Sequence, residues 1–127
     1  MHENEISQVI VDAAFRIHTR LGPGLLESLY EEVLYYELKK TGLGIERQKG
    51  IPVFWDFTRM DIGFRCDLII EKKVIIEIKS VEAIAAVHPK QLLTYLRITG
   101  LKLGLLINFN SSLIKHGITR IVNNLGE

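Results

Sequence analysis

Cys66 is the only cysteine in the chain, so no disulfide can close within it and no multi-thiolate metal site can form. A lone thiol of this kind is expected to serve as a small buried hydrophobe. Charge of one sign is equally scarce: 16 basic residues face 15 acidic ones, for a formal net charge of +1. A protein that grips DNA through counterion release usually carries a basic surplus, so bulk charge argues mildly against tight nucleic-acid binding. Arg16, Arg20, Arg47, Lys49, Arg59 and Arg65 remain available to line one face, a distribution that the sequence leaves open. No apolar run is long enough to span a bilayer, and Met1 to Glu5 offer neither a basic run followed by an apolar stretch nor a cleavage-like site. A cytoplasmic location without membrane contact is therefore expected.

What is present is the material of a core. Apolar residues make up 47% of 127 residues and charged residues 24%, the profile of a globular chain. That length suits a single domain over 1–127 and leaves little room for a second core. Ile6, Val9, Ile10, Ala13, Ala14 and Ile17 recur at steps of three and four, which predicts a first helix with Asn4 as N-cap. It should end near Gly22, where Gly22-Pro23-Gly24 supplies a cap and a proline suited to the first turn of the next helix. Leu26, Leu29, Tyr30, Val33, Leu34 and Leu38 repeat the stripe and predict a second helix to about Lys40.

After Gly44 the pattern becomes β-type. Ile45 to Lys49 and Ile51 to Phe57 read as two strands, with Gly50-Pro52 as a bulge or turn. Cys66 to Ile70 and Val74 to Ile78 read as a hairpin closed by the charged tip Glu71-Lys72-Lys73. A third helix starts around Pro89 and runs to Gly100, and Leu103 to Phe109 suits a strand covered on both faces. Ile118, Ile121 and Val122 allow either a helix or a strand. The expected order is α-α-β-β-β-β-α-β.

The hairpin carries the chemistry. Glu77 and Lys79 are two apart on one strand and so point to one face. With a three-residue tip, Ile70 pairs with Val74, which sets Asp67 opposite Glu77 on that face. Two like charges facing each other cost the sheet roughly 0.2–1 kcal/mol, so something must compensate. Lys79 is one candidate; a divalent cation, bound through carboxylate oxygens, is the other. Leu68, Ile76 and Ile78 should point to the opposite face, and a hydrophobic backing is what a rigid metal platform requires.

Asp67, then Glu77-Ile78-Lys79, resembles the signature of the PD-(D/E)XK nuclease superfamily, and Gln91-x-x-x-Tyr95 resembles the additional motif of its RecB-like branch. Gly24-Leu25-Leu26-Glu27-Ser28-Leu29-Tyr30 looks like the motif that names the GxxExxY protein family, small proteins assigned to that superfamily. The similarity covers nearly the whole chain, with Cys66 standing where the superfamily label has proline. It implies an α/β, restriction-endonuclease-like core, a central mixed sheet flanked by helices. The implied activity is Mg²⁺- or Mn²⁺-dependent hydrolysis of phosphodiester bonds, with DNA as the first expected substrate. Asp67, Glu77, Glu27 and the carbonyl of Ile78 would ligate the metal, and Lys79 would orient the attacking water or stabilise developing charge. Gln91 and Tyr95, one helical turn apart, would bind phosphate or hold the lysine.

Other uses compete for some of these residues. Glu27 suits the first turn of a helix as an acid facing the dipole, Tyr30 suits core packing, and Gln91 could be an exposed helix residue. His88 could contact a phosphate or cap the third helix, whereas the remaining histidines lack ligand spacing. Trp55 and Phe57 are expected to pack against a helix rather than stack on bases. At the level of the whole protein, the competing readings are a catalytically silent module that binds nucleic acid or a partner protein, and a domain that cuts only within a larger assembly. A homodimer with two sites for two strands is one such assembly.

Overall fold

The first apolar stripe forms α1, Glu3–Leu21, which buries Ile6, Ile10, Ala13, Ala14 and Ile17. Its cap is His2, not Asn4: the His2 ring accepts from the Asn4 N–H at 3.0 Å, and the Glu5 carboxylate accepts from the His2 N–H at 2.9 Å. This is a capping box in which an imidazole nitrogen replaces the usual hydroxyl oxygen. The second stripe forms α2, Glu27–Lys39, with Tyr30, Leu34 and Leu38 buried. Pro23 is not in its first turn, because the helix begins only at Glu27 and more loop intervenes. The computed structural model describes residues 1–126, and among them no helix is long and apolar enough to cross a membrane.

The β-region departs from expectation in one place. A single strand, β1 (Ile45–Ile51), runs straight through Gly50. The residues beyond it do not form a second long strand but a small separate ribbon, β2 (Phe54–Trp55) paired with β3 (Thr58–Arg59). Pro52 lacks an N–H to donate, which ends the ladder there. The hairpin follows as β4 (Phe64–Ile70) and β5 (Val74–Lys79), with Ile70 opposite Val74 as the tip length predicted. Helix α3 (Val87–Thr99) then crosses over to β6 (Leu103–Asn108), which lies parallel to β5 and is buried along its whole length. After a 3₁₀ turn at Ile114–His116, the open C-terminal choice resolves to a strand, β7 (Ile118–Val122), antiparallel to β6.

The main sheet has the order β1-β4-β5-β6-β7 and is mixed. Helices α1 and α2 cover one face over Leu68, Ile70, Val74, Ile76, Ile78 and the Leu103, Leu105 and Ile107 side of β6. Helix α3 covers the other, where Leu92 and Leu96 meet Ile69, Ile75 and Leu106. That helix can approach closely because Gly104 of β6 has no side chain: a Cβ there would sit 2.9 Å from Leu92 Cγ. The result is an α/β core, a mixed sheet between helices, as the resemblance implied.

Candidate active site at the fork of the sheet

Strands β4 and β5 are paired from Ile70↔Val74 to Leu68↔Ile76, and there the ladder stops. On the other side of β4 the pairing with β1 also skips one position, passing from Arg47↔Leu68 to Lys49↔Cys66 across Gln48, whose φ is 51°. Asp67 is the residue at both gaps. Its neighbours mark the local twist: Leu68 packs with the α1–α2 cluster and Cys66 with the α3 cluster, although residues two apart on an even strand share a face.

Side chains take over where the backbone ladder ends. The Asp67 N–H donates to a Glu77 carboxylate oxygen at 3.0 Å, and the Ile78 N–H donates to an Asp67 carboxylate oxygen at 2.8 Å. Each acid thus closes a bond that a sheet carbonyl would have made, and the two carboxyls are locked together in the mouth of the fork. Glu77 is buried, with 9% of its surface exposed, while Asp67 and Lys79 are half-buried. Burial, followed by the Asp67 charge, pushes the Glu77 carboxyl up to about 8, against a smaller opposing pull from Lys79. Burial, followed by the charges of the same acids, pushes the Cys66 thiol up to about 12, so it is inert, as expected of a buried hydrophobe.

Lys79 is fixed as the last residue of β5. It lies beside Asn108 in the β5–β6 register, and its carbonyl accepts from the Phe109 N–H at 3.0 Å. The chain then turns under the control of Asn108, a buried amide that accepts from the Val81 N–H at 3.1 Å and donates to the Val81 carbonyl at 2.9 Å.

Glu27 reaches this point from α2. Its carboxylate accepts from the Ser80 N–H at 3.3 Å, one residue past Lys79, and the Ser80 hydroxyl donates to the Leu25 carbonyl at 2.6 Å. The rest of its motif is the scaffold for this approach. Tyr30 is fully buried, stacks on Phe109 with centroids 4.6 Å apart, and donates its hydroxyl to the Gly22 carbonyl at 2.6 Å while accepting from the Leu25 N–H at 3.2 Å. Gly24, at φ 96°, makes the turn that a side chain would disfavour. Tyr30→Phe removes both bonds and leaves the Gly22 carbonyl and Leu25 N–H without that partner. Urea denaturation should register a loss of about 1–3 kcal/mol.

The Gln91–Tyr95 pair is split in character. Tyr95 stacks on Phe64, centroids 4.1 Å apart at 9°, and its hydroxyl is pushed up by burial and then by the Glu77 charge. Gln91 is exposed and makes no side-chain hydrogen bond among the described residues. His88 is half-buried and its Nδ1 has no partner among the described residues.

Two residues were missed in the sequence. Glu31 is buried on α2 and accepts from Arg47 Nε and from Gln48 Nε2, each at 2.7 Å. The same Gln48 amide extends to Asp67 at 3.4 Å, so α2 reaches the fork through Glu31 as well as through Glu27. The four-residue spacing of Glu27 and Glu31 on one helix was the available signal; nothing in the sequence singled out Gln48.

A family model described as the PD-(D/E)XK nuclease superfamily matches residues 4–121, almost the entire chain. The chain belongs to that superfamily. No curated protein and no solved structure matches it. As a superfamily member the protein is of a nuclease kind, and its members generally use divalent metals. The donor set here fits a hard cation: two carboxylates that each accept from the backbone of the other's strand, one of them pushed up to about 8 chiefly by burial, lose their mutual repulsion when a doubly charged ion binds. Among the described residues no three acidic, histidine or cysteine side chains already converge on a single point, and Glu27, bonded to the Ser80 N–H, does not join the Asp67–Glu77 pair in one cluster.

Proposed function

We propose that this protein is a Mg²⁺- or Mn²⁺-dependent nuclease that hydrolyses phosphodiester bonds, with DNA as substrate and Asp67, Glu77 and Lys79 as its central residues. The observation that supports this most directly is the pair of carboxyls interlocked at the fork, two residues from a lysine, in a chain of this superfamily. A bound divalent ion supplies charge neutralisation at the phosphate and acidifies an attacking water. Asp67 and Glu77 would hold it, and the Ile78 carbonyl and Glu27 would be the further ligands. Lys79 takes the charge that develops on the phosphate or orients the water. Tyr95 braces the acids from α3, and Gln91 and His88 face incoming phosphate.

In this reading residues 1–127 act as one domain in the cytoplasm, and the chain is one of the GxxExxY proteins that its Gly24–Tyr30 motif resembles. A homodimer with two sites would supply the second cut of a duplex. The test is direct. Purified protein with Mg²⁺ or Mn²⁺ should degrade DNA, and Asp67→Ala should lower the rate by about 10²–10⁴ with the fold intact by circular dichroism. Full activity in that variant would refute the assignment.

The burial of Glu77 favours one second reading, a nuclease-fold module that binds without cutting, because a neutral, enclosed Glu77–Asp67 pair is a stable structural element by itself. Calorimetry with Mn²⁺ separates the two: the enzyme takes up the ion and Glu77→Gln abolishes uptake, whereas the silent module shows no heat of binding.

A further inference from the structure

Trp55 and Phe57, expected to pack against a helix, pack against nothing of the kind. They sit on the β2–β3 ribbon that projects between β1 and β4, Trp55 with 72% of its surface exposed and Phe57 with 100%. Phe54 and Ile62 on the same projection are exposed as well. The turn itself is unfavourable. Asp56 and Phe57 both have positive φ, 48° and 68°, the geometry of a tight two-residue hairpin turn that selects Asn-Gly. A phenylalanine there costs on the order of 1 kcal/mol in backbone strain and recovers nothing from burial. Neither folding nor solubility accounts for it, and strain of this kind points outward, to something the tip touches.

The base of the ribbon leads to the fork. Arg59 and Arg65, neither in an ion pair among the described residues, line an open recess of about 560 Å³ beneath it. Phe64 begins β4 there, stacks on Tyr95, and is three strand steps, about 10 Å, from Asp67. Aromatic surface dominates what the tip offers. Asp56 and Asp61 balance the two arginines along the projection, so charge alone gives it little grip on a duplex backbone and its main contact surface is the exposed π-faces. Bases present their faces only when they are unpaired.

Resting on the nuclease reading and narrowing its substrate, we infer that the β2–β3 ribbon is a stacking arm that holds unpaired nucleotides of a single-stranded DNA segment next to the fork. Trp55 and Phe57 are the stacking surfaces, and Arg59 and Arg65 flank the path of the strand toward Asp67.

Trp55 is the only tryptophan in the protein, so its emission reports the arm alone. The full chain is titrated in EDTA, where no cleavage can occur, with a labelled oligo(dT) of about twenty nucleotides and with a duplex of equal length, a span that comfortably covers one such site. Emission should be quenched by oligo(dT) and not by the duplex. Trp55→Ala and Phe57→Gly should each weaken oligo(dT) binding by about 5- to 100-fold in fluorescence anisotropy. Phe57→Gly relieves the strained turn, so its melting temperature should not fall, which separates lost binding from lost folding. Unquenched emission with oligo(dT) bound, no binding of oligo(dT), or unchanged affinity in both variants would overturn the inference. So would a wild-type dimer in sedimentation that Phe57→Gly dissolves, since the arm would then be a self-association surface. Stacking in EDTA from a protein that never cuts DNA with metal would sink the nuclease reading and leave the arm standing; cutting without stacking would do the reverse.

Discussion

Glu77→Gln should make the metal-free protein more stable at pH 8 while removing its divalent-cation binding and its cleavage. The amide can accept from the Asp67 N–H as the carboxylate does, and it can donate to the Asp67 carboxylate as the protonated acid would. It therefore preserves the apo geometry without the charge. The sign of the effect follows from the direction of the Glu77 shift, upward to about 8 from near 4.5. Below the unfolded value the carboxyl is protonated in both states, and its contribution to stability is fully present. As pH rises from there toward 8, the unfolded chain releases the proton while the folded chain retains it, so the wild-type protein progressively loses that contribution. Above 8 the loss is complete. The side-chain amide of the variant undergoes no such titration. The melting temperatures of wild type and variant should be close near pH 4.5, then separate, reaching a gap of about 5–10 °C by pH 8.5, as a difference of a few kcal/mol implies for a domain of this size.

The same shift governs the cation. A divalent ion must displace the proton on Glu77, so its apparent affinity should rise up to tenfold per pH unit below about 8 and level off above. Calorimetric titrations at several pH values would read this slope. In the proposed enzyme, ionisation of Glu77 favours the cation and disfavours the apo fold, so stability and activity pull in opposite directions at one atom.

Much of this site was legible without coordinates because its geometry is local. The three-residue tip Glu71-Lys72-Lys73 fixes the hairpin register as far as Leu68↔Ile76, and extending that alternation by one step leads to Asp67 and Glu77. The helix stripes of α1 and α2 are long enough for their spacing to be unambiguous. What was misread depends on where chain segments go after they leave an element. The β-type residues of 51–57 look the same whether they extend a sheet or form a free ribbon, and Trp55 looks the same packed or exposed. The Asn4 reading failed because His2, through an imidazole, forms a capping box that residue preferences rank low. The Glu31–Gln48–Asp67 chain joins residues 17 and 19 positions apart, and only the folded path of β1 along β4 brings them together. Likewise, periodicity set Asp67 opposite Glu77 but could not foresee that the ladder would stop there and let the two carboxyls replace it.

Lys79→Ala should reduce cleavage by about 10²–10⁴ while leaving cation binding in place, the signature of a group that acts on the reacting phosphate or water and not as a ligand. The backbone at 79 is held by β6 and by Phe109, so truncating the side chain leaves the strand where it is. The substitution has a second, diagnostic consequence. The Lys79 ammonium pulls the Glu77 carboxyl downward, against burial and Asp67. Without it the Glu77 proton is held more tightly, and the rise of cation affinity with pH should move to higher pH in Lys79→Ala. Lys79→Arg should restore that charge, and with it the wild-type pH dependence of cation binding, but only part of the rate, because a planar guanidinium cannot occupy the position of a compact ammonium. A lysine that merely decorated the strand would leave both the rate and the pH dependence untouched. One that ligated through its neutral amine would abolish cation binding when removed, which is the outcome that would take Lys79 out of this role.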